Sequence, residues 1–189
     1  MDKHLESIYL GQAQLEFNAC FTALDAFNSA ISGATEDDPF VHAMTFVHRA
    51  AAASRIFWPP GGRRGNSQRS KDRGDHLLAS LDINDNHPIK SRTLRDHFEH
   101  FDERLDEWAE VSQNRNIVGR LLGSRSLIGG DGIADTDIIL HYDPTTKIFA
   151  FRGEKFDLQE LASGISDLSS KVQTRLSDID NQRFNKAIE

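Results

Sequence analysis

Arg95, Asp96 and His100 are the residues of this sequence whose types and spacing best suit chemistry. On a helix, Asp96 and His100 lie one turn apart, so the carboxylate can reach the imidazole, orient it and favour its protonated form. Arg95 presents a guanidinium, a planar fork that matches phosphate oxygens. A helical wheel places these three on one polar arc with Arg92, Glu99 and Glu103. A cation, a carboxylate and an imidazole on one face are the parts of a metal-free phosphodiesterase; they are equally the parts of a salt-bridge-laced solvent face. His97 adds a second imidazole, but two histidines fall short of a closed metal site, and no metal or cofactor is expected.

These residues need a helix to position them. Leu94, Phe98, Phe101, Leu105 and Trp108 step by four, three, four and three, the seam of a long helix from about Ser91 to Val111. A first helix is expected through Leu5, Tyr9, Ala13, Phe17, Phe21, Leu24, Phe27 and Ile31, ending near Gly33. Asp38-Pro39 starts a second, with a capping side chain followed by a proline whose missing N–H costs nothing; Pro59-Pro60 stops it. Asp75 caps a short helix to Leu81. The stretch with Gly119, Gly123, Gly129, Gly130 and Gly132 matches no phosphate-loop spacing and reads as loop. DIILHYDPTTKIFAF reads as one β-hairpin at about residues 137–152, where His141 is expected at an exposed strand position. A last helix starts at Asp157 with Glu160 as capping-box partner, burying Leu158, Leu161, Ile165, Leu168, Val172 and Leu176. The expectation is a single, mainly α domain over residues 1–189, a helical bundle with one β-hairpin before the C-terminal helix.

Charge is unevenly spread. The chain carries a net −7, yet residues 59–74 hold Arg63, Arg64, Arg69, Lys71 and Arg73 against Asp72 alone. This segment reads as a flexible basic loop on an acidic body, either a local phosphate contact or a solvated tether. The single cysteine, Cys20, falls among apolar positions and reads as a buried structural thiol. Trp58, before Pro59, reads as a core or interface anchor. No run is long enough to span a membrane and the first residues lack a signal-peptide pattern, so a cytoplasmic protein is expected.

The segment SRTLRDHFEHFDERLDEW resembles the HEPN superfamily, whose ribonuclease members carry Arg, a polar residue, three variable residues and His on a helix. Arg95-Asp96-His97-Phe98-Glu99-His100 fits that pattern position for position. SRIFWPP upstream and the hairpin downstream look like the abortive-infection-associated HEPN-like families, a looser similarity over residues 40–175. The same offset also runs from Arg92 to His97; Asp96 is the more usual polar neighbour than Thr93, which favours Arg95 and His100. The resemblance implies a HEPN-like homodimer whose motif helices form a shared cleft. It implies a metal-independent endoribonuclease, in a toxin–antitoxin or phage-defence setting, with a nucleotidyltransferase-type antitoxin as a candidate partner. His100 would shuttle the proton of an RNA 2′-hydroxyl or of the leaving oxygen. Arg95 would stabilise the charge on the phosphorane, and Asp96 would orient the imidazole or contact the partner's motif. A cyclic phosphate end would remain. Arg63, Arg64, Arg69, Lys71, Arg73 and Arg92 would hold the RNA backbone. The alternative is a non-catalytic HEPN-like dimeric module that binds nucleic acid, nucleotide or a protein partner.

Overall fold

Small residues on the buried stripe of the first helix set the packing. A computed structural model describes residues 1–60, 67–129 and 132–188. Helix α1 (Lys3–Ile31) buries Leu10, Ala13, Phe17, Cys20, Ala23 and Phe27, and α2 (Pro39–Phe57) buries Phe40, Ala43, Phe46, Ala50 and Ala53. The alanines let the two helices pack closely along one another, with Phe17 stacked on Phe57. Asp38 Oδ1 accepts the Phe40 N–H at 2.9 Å, with Pro39 in the first turn as the sequence predicts. Leu5, expected on the buried face, is exposed, because the stripe runs through Leu10 instead.

Helix α3 covers Ser67–Ser80, where a basic loop to residue 74 and a helix only from Asp75 are expected. Tertiary contacts override the polar composition here. The Arg73 guanidinium lies 5.0 Å over the Tyr9 ring and donates to the Ile56 and Arg55 carbonyls. Gly74 backs onto the end of α2, where a Cβ would come within 2.4 Å of the Phe57 carbonyl oxygen. Arg69, Lys71 and Arg73 therefore stand on a helix. Arg63 and Arg64 lie outside the described residues.

The expected long helix over 91–111 is two helices, α4 (Thr93–Glu99) and α5 (Phe101–Val111), broken at His100, whose φ of −107° and ψ of 37° leave the helical region. The break lets Leu94 and Phe98 pack on the core while α5 lies along the sheet. It also divides the seam: Leu94 is buried, Phe98, Leu105 and Trp108 are half-buried, and Phe101 is 40% exposed.

The single expected hairpin is the middle of a four-stranded sheet, ordered β1 (Val118–Leu122), β2 (Ile138–Asp143), β3 (Ile148–Phe151), β4 (Glu154–Asp157). β1 runs parallel to β2, and the other pairs are antiparallel. Arg152 and Gly153, both at positive φ, make the two-residue turn between β3 and β4. The inner sheet face presents Phe149 and Phe151 to Phe40 and Phe98, and Tyr142 meets Phe27 edge-on at 4.9 Å.

Helix α6 (Leu158–Ile188) begins as expected: Asp157 Oδ1 accepts the N–H groups of Gln159 and Glu160. Its buried Ile165, Leu168, Val172 and Ile179 join the same core as α1 and α2. No helix among the described residues is long and apolar enough to cross a membrane.

One buried charge ties the first helix to the last. Glu6 is 1% exposed, and Arg175 donates to its two oxygens at 2.8 and 3.2 Å; His76 Nε2 lies 3.6 Å away. Burial alone would raise the Glu6 pKa, but the hydrogen bonds and charge of Arg175, with Ser80 and His76, outweigh it and hold it below the ordinary value. A depressed carboxylate stabilises the fold above its unfolded pKa, and that contribution is lost as pH falls through the folded pKa. Arg175→Ala leaves a buried carboxylate without its partner and is expected to cost about 3 kcal/mol at neutral pH. Chemical denaturation should show the gap from wild type narrowing on acidification, as Glu6 takes up a proton. A gap independent of pH would contradict the assignment.

Candidate functional site

Arg95 lies on α4 with its side chain only 14% exposed, against Asp96 at 2.8 Å and Glu99 one turn on. Burial would lower the pKa of the guanidinium, but hydrogen bonds and charge from Asp96 and Glu99 leave it raised, so Arg95 is a fixed cation. His100 occupies the break between α4 and α5 and is 53% exposed, with Nδ1 3.4 Å from Glu103 Oε1. Asp96, expected to orient His100, bonds Arg95 instead; the imidazole's acidic neighbour is Glu103.

Arg95 lines a cleft of about 380 Å³ between α4, β4 and the start of α6. Arg92, Ser91, His87 and Lys155 share it, with Asp157 and Glu160 on the rim. His100 is not among the lining residues. Arg92 Nη1 donates to the Trp58 carbonyl at 2.8 Å, so this arginine also anchors the chain that leaves α2. Trp58 is buried, as expected of an anchor; its Nε1 donates to Asp85 and its ring stacks on His87. Burial lowers the His87 pKa more than Asp167, 3.5 Å away, raises it.

His97, the imidazole of the alternative register, has a structural place. It is 15% exposed, stacked on Phe151 at 5.0 Å, with Nε2 2.9 Å from Glu154 Oε2. The structure thus brings Arg92 and Arg95 to one cleft and separates His97 and His100 onto two surfaces. Arg69 and Arg73 line a different hollow, with Met1, Leu5 and Tyr9, and do not share the cleft of Arg95. Arg73 is occupied by its packing contacts, whereas Arg69 and Lys71 are exposed. Beside His100, Phe98, Phe101, Leu105 and Ile117 line an apolar hollow of about 530 Å³ between α4, α5 and β1.

Three polar residues have roles the sequence does not announce. Lys155 lines the Arg95 cleft from β4, a strand whose charged residues give little β signal. His141 is half-buried rather than exposed, its Nε2 2.8 Å from the Gly123 carbonyl oxygen. Asp137, 6% exposed, accepts from Trp108 Nε1, Ser112 Oγ and the Ala134 N–H, each within 2.9 Å. Cys20 is buried, and desolvation pushes its thiol up to about 12, so it is no nucleophile. Comparisons with models of protein families, with curated proteins and with solved structures give no match to this chain.

The Ala134 N–H, above all, holds the Asp137 carboxyl below its ordinary range against the opposing effect of burial, with Trp108 and Ser112 adding to it. Its stabilisation is present above the unfolded carboxylate pKa and fades as pH falls through the folded one. Asp137→Ala is expected to cost about 2 kcal/mol. It should also red-shift Trp108 emission at pH 7, as α5 loses its tie to β2. Unchanged emission together with unchanged stability would remove Asp137 from this role.

Proposed function

We propose that this protein is a metal-independent endoribonuclease of HEPN type, acting as a homodimer in a toxin–antitoxin or phage-defence setting. The observation that carries the reading is the pairing of a fixed, charge-locked Arg95 with an accessible imidazole five residues on, at a helix break. A nucleic acid can reach His100 without rearrangement of the core. The apolar hollow next to it, with Phe101 at its rim, is a surface on which a second protomer would bring its own motif close.

Chemically, His100 takes the proton of the 2′-hydroxyl or returns one to the departing 5′-oxygen. Arg95 stabilises the negative charge that grows on the phosphorus oxygens. Asp96 acts on the arginine, fixing its guanidinium, and not on the histidine. Arg92 and Lys155, in the cleft of Arg95, meet the neighbouring phosphates, with exposed Arg69 and Lys71 as more distant backbone contacts. The products are a 2′,3′-cyclic phosphate and a 5′-hydroxyl.

One observation favours a second reading. Asp96 and Glu99 already meet the charge of Arg95, and His100 lies outside its cleft. A HEPN-like module that binds nucleic acid, nucleotide or protein without cutting would keep that arrangement.

Incubation of purified protein with structured and unstructured RNA in EDTA separates the two. The nuclease reading expects cleavage that survives the chelator and falls about 10²–10⁴-fold in His100→Ala. Arg95→Ala should be severely impaired. His97→Ala should lose about 1–2 kcal/mol of stability through its stack on Phe151, while the folded fraction still cuts. Cleavage that requires a divalent ion, or that survives His100→Ala and dies with folded His97→Ala, would overturn the mechanism. Binding without any cleavage would leave the second reading.

A further inference from the structure

The outward face of the sheet carries a polar hollow separate from the cleft of Arg95. At about 250 Å³ it is smaller than the roughly 300–1,000 Å³ of drug-sized ligand sites. Strand register builds its floor: His141, Ala150 and Lys155 form one row across β2 to β4. Neighbouring strands are about 4.8 Å apart, so the backbones of His141 and Lys155 stand roughly 10 Å apart with a single methyl group between them. A larger side chain at Ala150 would fill that space.

The walls are fixed. Arg125 bonds Asp135 through Nε and the Ile128 carbonyl through Nη1, both at 2.8 Å, and the Ile133 carbonyl through Nη2. Gly153 abuts Asp135, where a Cβ would come within 3.3 Å of Asp135 Cβ. Asp143 and Thr146 line the hollow from the β2–β3 turn. The Gly123 carbonyl can only accept, so the His141 nitrogen against it carries a hydrogen, and Nδ1 is the ring's remaining polar atom. The Lys155 ammonium has no hydrogen-bond or ion-pair partner among the described residues. Asp143 uses one oxygen to accept the Thr145 N–H, which leaves the other for a ligand.

We propose that this hollow binds a small phosphorylated polyol. Its phosphate meets the Lys155 ammonium, a charge-assisted donor, beside the Arg125 guanidinium that lines the same hollow, and the remaining O–H of the phosphate monoanion donates to Nδ1 of His141. Its hydroxyls donate to Asp143, a carboxylate that a bare phosphate would find repulsive. The mixture of cations with an accepting carboxylate is what distinguishes this ligand from a simple anion. The proposal does not rest on the ribonuclease reading, since neither Arg95 nor His100 lines the hollow.

Calorimetric titration of the full chain with glycerol 3-phosphate, and with inorganic phosphate beside it, tests the site. The imidazole resonances of His141 are followed by NMR in the same titrations. Glycerol 3-phosphate is expected to bind more tightly than inorganic phosphate and to shift the His141 signals. Lys155→Met should weaken it about tenfold or more, as loss of a charge-assisted contact does. Ala150→Leu, which fills the floor, should abolish binding, and His141→Gln, which does not load the core, gives an independent loss. The proposal is overturned by absence of binding at millimolar ligand, or by equal affinity for the two probes. A loss in Lys155→Met with full binding in His141→Gln and Ala150→Leu also overturns it, because Lys155 lines the Arg95 cleft as well.

Discussion

Asp137 fixes the far end of α5: its carboxylate accepts from Trp108 and from Ser112 at the cap, while Phe101 and Leu105 pack the near end on the sheet and the core. The carboxylate stands at the entry to β2, bonded on one side to the C-terminal half of α5 and on the other to the Ala134 N–H. Arg152, from the β3–β4 turn, adds a hydrogen bond to the Arg104 carbonyl. Apolar contact through Leu105 holds α5 against the core, and the direction of a few donors sets its orientation. Hydrogen bonds are angular, so they fix orientation more sharply than apolar contact does. His100 leads into α5, and the carboxylate that orients this helix acts on it at Trp108 and Ser112, about two turns or more further on.

The parts of the fold legible in the sequence are those in which apolar spacing coincides with burial. α1, α2 and α6 keep three- and four-residue steps over long stretches, and their ends carry Asp2, Asp38 and Asp157 as side-chain caps. The Asp143–Lys147 turn between β-prone runs gave away the hairpin. α3 was not legible, because its helix depends on Arg73 and Gly74 meeting α1 and α2, partners distant in sequence. The break at His100 was hidden because the step pattern from Leu94 to Trp108 continues through it. β1 and β4 are short and carry Arg120, Glu154, Lys155 and Asp157, so neither alternation nor β-branching marks them; β1 finds its place by parallel pairing across a long connection.

For the candidate site, spacing identified which side chains share a segment but not which ones meet. Asp96 is four residues from His100 and one from Arg95, and the break resolves that competition in favour of the arginine. A continuous wheel already sets His97 on the flank nearer the apolar seam and His100 on the polar arc; Phe151 and Glu154, contributed by the sheet, draw His97 further inward. Lys155 reaches the Arg95 cleft only because β4 is the far strand of the sheet and leads into α6.

The β1 edge of the sheet shows how a strand left open on one side is kept from extending its ladder. β1 has β2 as its one neighbour, spans five residues, and contains Gly119 and Arg120, with Gly123 at positive φ just beyond. Arg120 pairs with Asp38, the same carboxylate that caps α2, so the strand's charge is moored to the start of a helix. A short edge with a tethered cation is a poor template for another strand. Pairing through this edge, the kind of backbone ladder that can repeat without limit, is thereby disfavoured.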